Sequence, residues 1–326
     1  MQQHSQNRKS RTASFGRHAT LGRAVALGLG LTLTARTAPA QDTTPSRGAQ
    51  AADWSAVDQA LGRKGAQQPG GVMKYSFPRS DLQVTANGMQ IKPALALGGW
   101  IAFKEMAGGA MMMGDLVLTE DEVGPVMRAL QQKGVEQTAL HNHVLKESPR
   151  VMYMHVAGQG DPVKLAQAVR TALGQSKTPM APPAASAAGP IDLDTAAVSR
   201  ALGVGGKVNG GVYQVSVPRR ETIHEGGQEV PPAMGVATGI NFQPSGGGKA
   251  AITGDFVLVA SEVNPVIRAL QGNGIEVTAL HSHMLDEQPR LFFMHFWAND
   301  DATKLARGLR AALDRMAIKT AGRASR

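Results

Sequence analysis

"TALHNHVLKESPRVMYMH" (residues 138–155) returns as "TALHSHMLDEQPRLFFMH" (residues 278–295), with three histidines in the same frame each time. In both, a β-type run ends in His-x-His, a polar segment with one proline follows, and a second β-type run ends in histidine. That order predicts a β-hairpin.

Working outward, residues 114–155 and 254–295 are identical at 25 of 42 positions at a constant offset of 140. Further upstream, "PALALGGWIAF" (93–103) matches "PAMGVATGINF" (232–242). Duplication on this scale predicts two tandem copies of one domain. The Pro/Ala-rich stretch "GQSKTPMAPPAASAAGP" (174–190) has the composition of a linker. The expected boundaries are repeat 1 over 52–173, linker over 174–190, repeat 2 over 191–314 and a frayed basic tail over 315–326.

Inside a copy, "GDFVLV" (254–259) predicts a strand. "EVNPVIRALQGNG" carries a helical stripe at Val263, Val266, Ile267 and Leu270. Two β-type runs and the amphipathic "DATKLARGLRAAL" complete the unit, and a short helix opens each copy at "WSAVDQALG" and "DTAAVSRALG". The pattern predicts an α+β fold, an antiparallel sheet with helices on one face, partly ferredoxin-like β-α-β-β-α. The Gly-rich first half of each copy predicts extra strands without fixing their pairing.

On a strand, residues two apart share a face, so His281 projects with His283, and a hairpin centred near residue 288 sets His295 opposite His281. His141, His143 and His155 repeat the arrangement in the first copy. Six of the nine histidines fall in these trios. Three imidazoles with an open fourth position suit Zn(II), and a zinc-type metallohydrolase is one reading of such a site. A thioether copper site at Met111–Met113 is a lesser alternative. Without metal, the pattern suits an envelope ligand-binding module, or a structural pseudo-dimer whose histidines are buried against Phe293 and Trp297. His224 and Glu225, in "ETIHEGGQEVPP", are the candidates for a proton shuttle if that loop folds over the sheet. Asp115 and Asp255 are read as turn caps or as acceptors for imidazole N–H groups. Glu147 with Arg150, and Glu287 with Arg290, are read as solvated ion pairs at the hairpin turns.

The formal net charge of +9 comes largely from the ends: residues 41–300 hold 21 basic against 23 acidic groups. A near-neutral body predicts no nucleic-acid partner. Residues 1–40 carry a basic start, the apolar run "AVALGLGLTLTA" and "APA" before Gln41, the pattern of an export signal. The expected location is periplasmic or secreted, with no stable membrane anchor after cleavage and an unidentified small ligand or envelope component as partner. The chain has no cysteine, which excludes disulfides, thiolate ligands and a lipidated N-terminal cysteine.

The long stretches "GVEQTALHNHVLKESPRVMYMH", "KVNGGVYQVSVPRRETI" and "GGGKAAITGDFVLVASEVNPVIRAL" resemble the LppY/LpqO family, exported bacterial proteins with a duplicated domain of unknown function. The resemblance spans roughly residues 52–314. It implies export and duplication, and it assigns no catalytic residue.

Overall fold

The computed structural model describes residues 53–181 and 190–319. Residues 1–52, which include the segment read as an export signal, residues 182–189 of the stretch read as a linker and residues 320–326 lie outside the described residues.

Repeat 1 runs α1 (Ser55–Leu61), β1 (Ala66–Gln68), β2 (Val72–Pro78), β3 (Thr85–Ala86), β4 (Met89–Gln90), α2 (Pro93–Ala96), β5 (Gly98–Met106), β6 (Gly109–Thr119), α3 (Glu120–Gln131), β7 (Glu136–His141), β8 (Glu147–Ser148), β9 (Val151–Gly160) and α4 (Pro162–Leu173). Repeat 2 follows the same plan: α5 (Thr195–Leu202), β10 (Lys207–Asn209), β11 (Val212–Pro218), β12 (Ile223–Glu225), β13 (Gln228–Val230), a 3-10 turn at Pro232–Met234, β14 (Ala237–Gly246), β15 (Lys249–Val259), α6 (Ala260–Gln271), β16 (Glu276–His281), β17 (Leu291–Asp301) and α7 (Ala302–Leu313). Two six-stranded antiparallel sheets result, in the orders β1-β2-β5-β6-β9-β7 and β10-β11-β14-β15-β17-β16. In each Gly-rich first half β1, β2 and β5, or β10, β11 and β14, form one side of the main sheet, whereas β3 and β4 pair with β8 in a small separate sheet and β12 pairs with β13 in another. The α+β class and the tandem duplication are as expected.

Alternation along the strands decides what each face meets. In β6, Met112, Leu116 and Leu118 pack with Val57, Leu61, Val126, Leu130 and Val169 from α1, α3 and α4. Met111 and Met113 point the other way and pack with Val257, Met284 and Phe293 of repeat 2. Likewise Tyr153 and Val117 share a cluster with Val212, Ala251 and Trp297. The two sheets therefore bury their helix-free faces against each other. This is why β6 is buried at nine consecutive positions and its "MMM" forms a continuous apolar run. These methionines split between the two faces.

The repeats also exchange polar contacts. Gln243 accepts from Lys92 N (2.8 Å) and donates to Gln90 O (2.9 Å), while Lys74 and Lys104 donate to Ala233 O and Glu229 O.

Each repeat is closed by a buried Arg–Glu clamp that the sequence pattern did not reveal. Arg219, 2% exposed, binds Val257 O at 2.8 Å and both carboxylate oxygens of Glu262, at 2.5 and 3.1 Å. Glu262 also accepts from Val259 N and from Ala317 N. Arg79, Val117, Glu122, Thr119 N and Lys177 N repeat the set in the first copy. This corrects the frayed-tail expectation for residues 315–319: Lys319 N bonds Pro218 O, and Ile318 is 7% exposed in the core. The usable signal was Pro-Arg at 78–79 and again at 218–219, at the same offset of 140.

Candidate metal centre

β7 and β16 are the edge strands of their sheets, and they carry His141 and His281 at their C-terminal ends. In repeat 2, Ala279 pairs with His295 and His281 with Phe293, after a bulge between Val277 and Ala279. The expected register, His295 directly opposite His281, is thus corrected by two residues. A two-residue shift keeps parity, so the two rings still share a face, as diagonal neighbours with centroids 4.9 Å apart. A second correction concerns His283, which lies beyond β16 on the loop rather than on the strand. Its Nε2 is nonetheless 3.0 Å from that of His281. Repeat 1 has the same bulge and the same pairing, Ala139 with His155.

The largest correction is that the trios are not separate patches. Burying one sheet on the other brings all six imidazoles together. His141 stacks on its counterpart His281 with centroids 3.6 Å apart. The strand histidine of each copy stacks on the loop histidine of the other: His155 on His283 at 3.7 Å, and His295 with His143 at 3.9 Å. These contacts map onto one another when the copies are exchanged, so the centre has a pseudo-two-fold axis through the His141/His281 pair. Two cross-copy bonds hold the loops: Thr138 Oγ1 donates to His283 O and Thr278 Oγ1 to His143 O, each at 2.5 Å. Tyr153 backs His143 at 3.3 Å and Phe293 backs His283 at 3.4 Å, ring to ring.

Asp115 and Asp255 are not turn caps. They sit mid-strand, paired with His155 and His295 on the neighbouring strands. Asp255 lies 3.2 Å from His283 Nε2, and Asp115 lies 3.8 and 4.0 Å from the Nε2 atoms of His143 and His155. Burial, and then the charge of Asp255, pushes the Asp115 carboxyl up to about 8, while burial raises Asp255 to about 6. Burial, reinforced by neighbouring imidazoles for most of them, lowers all six histidines, His141 to about 4. The rings are neutral and therefore have lone pairs to give.

Where those lone pairs point decides the chemistry. His295 Nδ1 donates to Gly254 O at 2.7 Å, and His155 has the corresponding backbone bond to Gly114. The Nε2 atoms of His295, His155 and His141 are buried with no hydrogen-bond partner, as are His281 Nδ1 and one oxygen of each aspartate. A histidine fixed by Nδ1–H to a carbonyl, with Nε2 free, is oriented as a metal ligand is. Three donor sets have ligand atoms within 4.8 Å of one another: His141/His155/His281/His283, His141/His143/His295 and Asp255/His283/His295.

Gly254 serves this geometry through its missing side chain, since a Cβ there would lie 2.0 Å from Gly239 O. Gly254→Ala is expected to push β15 off β14, costing about 1–3 kcal/mol as overpacking does, and to loosen His295. Urea denaturation measures the first effect and the His295 imidazole NMR signals the second.

His224 and Glu225 are placed differently. His224 is exposed on β12, and its backbone pairs with Gln288. Glu225 Oε1 accepts from Leu285 N and Asp286 N, so it fastens the loop that bears His283. Neither makes a hydrogen bond or ion pair with the six histidines. Glu225 instead lines a cavity of about 390 Å³ with Met111, Met113, Gln159 and Met284. The turn ion pairs are also corrected. Glu287 is 3% exposed and accepts from Leu291 N as well as Arg290, whereas Arg150 reaches Glu120 rather than Glu147.

The fold and this centre define a class: duplicated α+β proteins whose repeats meet across a histidine–aspartate cluster. The chain belongs to the family described as "Domain of Unknown Function (DUF1259)", whose model matches twice, over residues 55–175 and 196–315. No curated protein matches it. Among solved structures it is similar to a trimeric bacterial microcompartment shell protein, PduB, at 14% identity over 77% of this chain and 89% of that one, with a TM-score of 0.20. EtuB from Clostridium kluyveri gives 10% identity over 77% and 91%, with a TM-score of 0.19.

Proposed function

We propose that this is an exported protein of the LppY/LpqO type that binds a divalent metal, Zn(II) by the preference of nitrogen-rich sites without thiolate, between its two repeats. The observation that carries the reading is the orientation of His295: Nδ1 is committed to Gly254 O, and Nε2 is buried and unpartnered. A buried polar atom without a partner costs about 1–3 kcal/mol, and this centre gathers several. A cation ligated there satisfies them together and favours the carboxylate forms of Asp115 and Asp255, which burial opposes.

A second reading, a ligand-binding or structural module, has the stacking of His283 on Phe293 in its favour. It leaves the unpartnered nitrogens unexplained. A hydrolase reading has its support in the cavity beside Met284, where Glu225 keeps one oxygen free, and it requires the His283 loop to open toward that cavity.

The test is metal analysis of protein purified from its native compartment without an affinity tag, for the wild type and for His281→Ala/His283→Ala. Bound metal in the wild type that is lost in the variant is the expected result. A wild type that carries no metal and takes up none from added Zn(II) or Cu(II) defeats the proposal.

A further inference from the structure

We infer that the centre is dinuclear, with two ions related by the pseudo-two-fold axis and each held by histidines from both repeats. This rests on the metal-binding reading above and adds a number and an arrangement to it.

The argument starts from symmetry. The set His141/His143/His295 lies off the axis, taking two ligands from repeat 1 and one from repeat 2. Exchanging the copies turns it into His281/His283/His155, and those three residues recur together within the first donor set. A site off a two-fold axis occurs twice. The stacked pairs say the same, because His155 with His283 and His295 with His143 are images of one another at nearly equal separations of 3.7 and 3.9 Å.

Donor number leads to the same conclusion. A zinc-type ion takes about three or four protein ligands, and six imidazoles with two carboxylates are about twice that. Each carboxylate stands beside one histidine of either set, Asp115 beside His143 and His155, and Asp255 beside His283 and His295, where a carboxylate shared between two ions sits. A single ion on the axis leaves buried nitrogens unpartnered in both halves. Two ions use both trios, and each ion then fastens one repeat to the other.

The test uses the full chain, freed of metal by chelator and titrated with Zn(II) alone, with bound metal counted after desalting. Cu(II) titration is followed in parallel by electron paramagnetic resonance. The expected result is two equivalents of metal per chain, with the Cu(II) signal showing spin coupling as the second equivalent binds. His295→Gln and His155→Gln are each expected to reduce the count from two to one. One equivalent, or two that stay magnetically isolated, overturns the dinuclear arrangement while leaving metal binding intact. No uptake at all overturns both. The wild-type count decides the matter even if a variant fails to fold.

Discussion

Metal-free protein is expected to be most stable near neutral pH and to lose its fold steeply as the pH falls below about 6.5, the unperturbed histidine value. All six cluster imidazoles have folded values lowered by burial. The unfolded chain therefore binds more protons than the folded one from about pH 6.5 downward, and stability drops as pH falls. Asp115 and Asp255 act in the opposite sense. Their folded values are raised, to about 8 and about 6, so they contribute stability at low pH that is lost as pH rises through those values. Six groups against two leave the histidines in control below about pH 6.5, so the net effect is a fall in stability with falling pH. With total stabilities of only about 5–15 kcal/mol common in folded domains, a linkage of several protons is a large effect. Urea denaturation of chelator-treated protein at pH 7, 6 and 5 measures it. A midpoint that stays flat down to pH 5 means the cluster accepts charge and is not the dry, neutral site described above.

The second large effect is expected at Glu262. Glu262→Ala leaves the Arg219 guanidinium buried without its main counter-charge and frees the Val259 and Ala317 N–H groups. Burial alone raises the Glu262 carboxyl, and the bonds from Arg219 and those backbone N–H groups bring it below its usual value. Breaking one side of such a pair costs about 3–5 kcal/mol. Thermal and urea melts should show this loss, and Arg219→Met/Glu262→Leu should recover much of it by removing both charges. A single variant within about 1 kcal/mol of wild type would falsify the clamp's role in holding the chain after α7 against β11.

The fold was legible in the sequence to the extent that local pattern controls it. The offset of 140, the helical stripe of α6 and the strand pattern of "GDFVLV" in β15 were enough for the class and the duplication. Parity placed His281 and His295 on one face even though their register was two residues from the expected one. What escaped were contacts between residues far apart in the chain. Nothing near Glu262 in sequence points to Arg219, and nothing in either trio shows that His155 meets His283. Glu225 illustrates the reverse: its acidic, Gly-rich surroundings suggested chemistry, yet its carboxylate accepts backbone N–H groups of the His283 loop. The Met111–Met113 run was open to a metal reading because its two-sided burial, with one face on helices and the other on the second repeat, is a tertiary fact.

The crossed stacking of the strand and loop histidines bears on how such a chain could have arisen. A single repeat has His-x-His and one strand histidine but not the partners on which they stack. An ancestor of one repeat reaches this arrangement only as an isologous homodimer, with the axis running between two identical copies of the first-strand histidine. Duplication and fusion then fix that dimer in one chain, where its assembly no longer depends on concentration. The copies are afterwards free to differ at their margins, as "ETIHEGGQEVPP" differs from "DLQVTANGMQIKP". At the six histidines the copies agree, and both contribute rings to the one cluster.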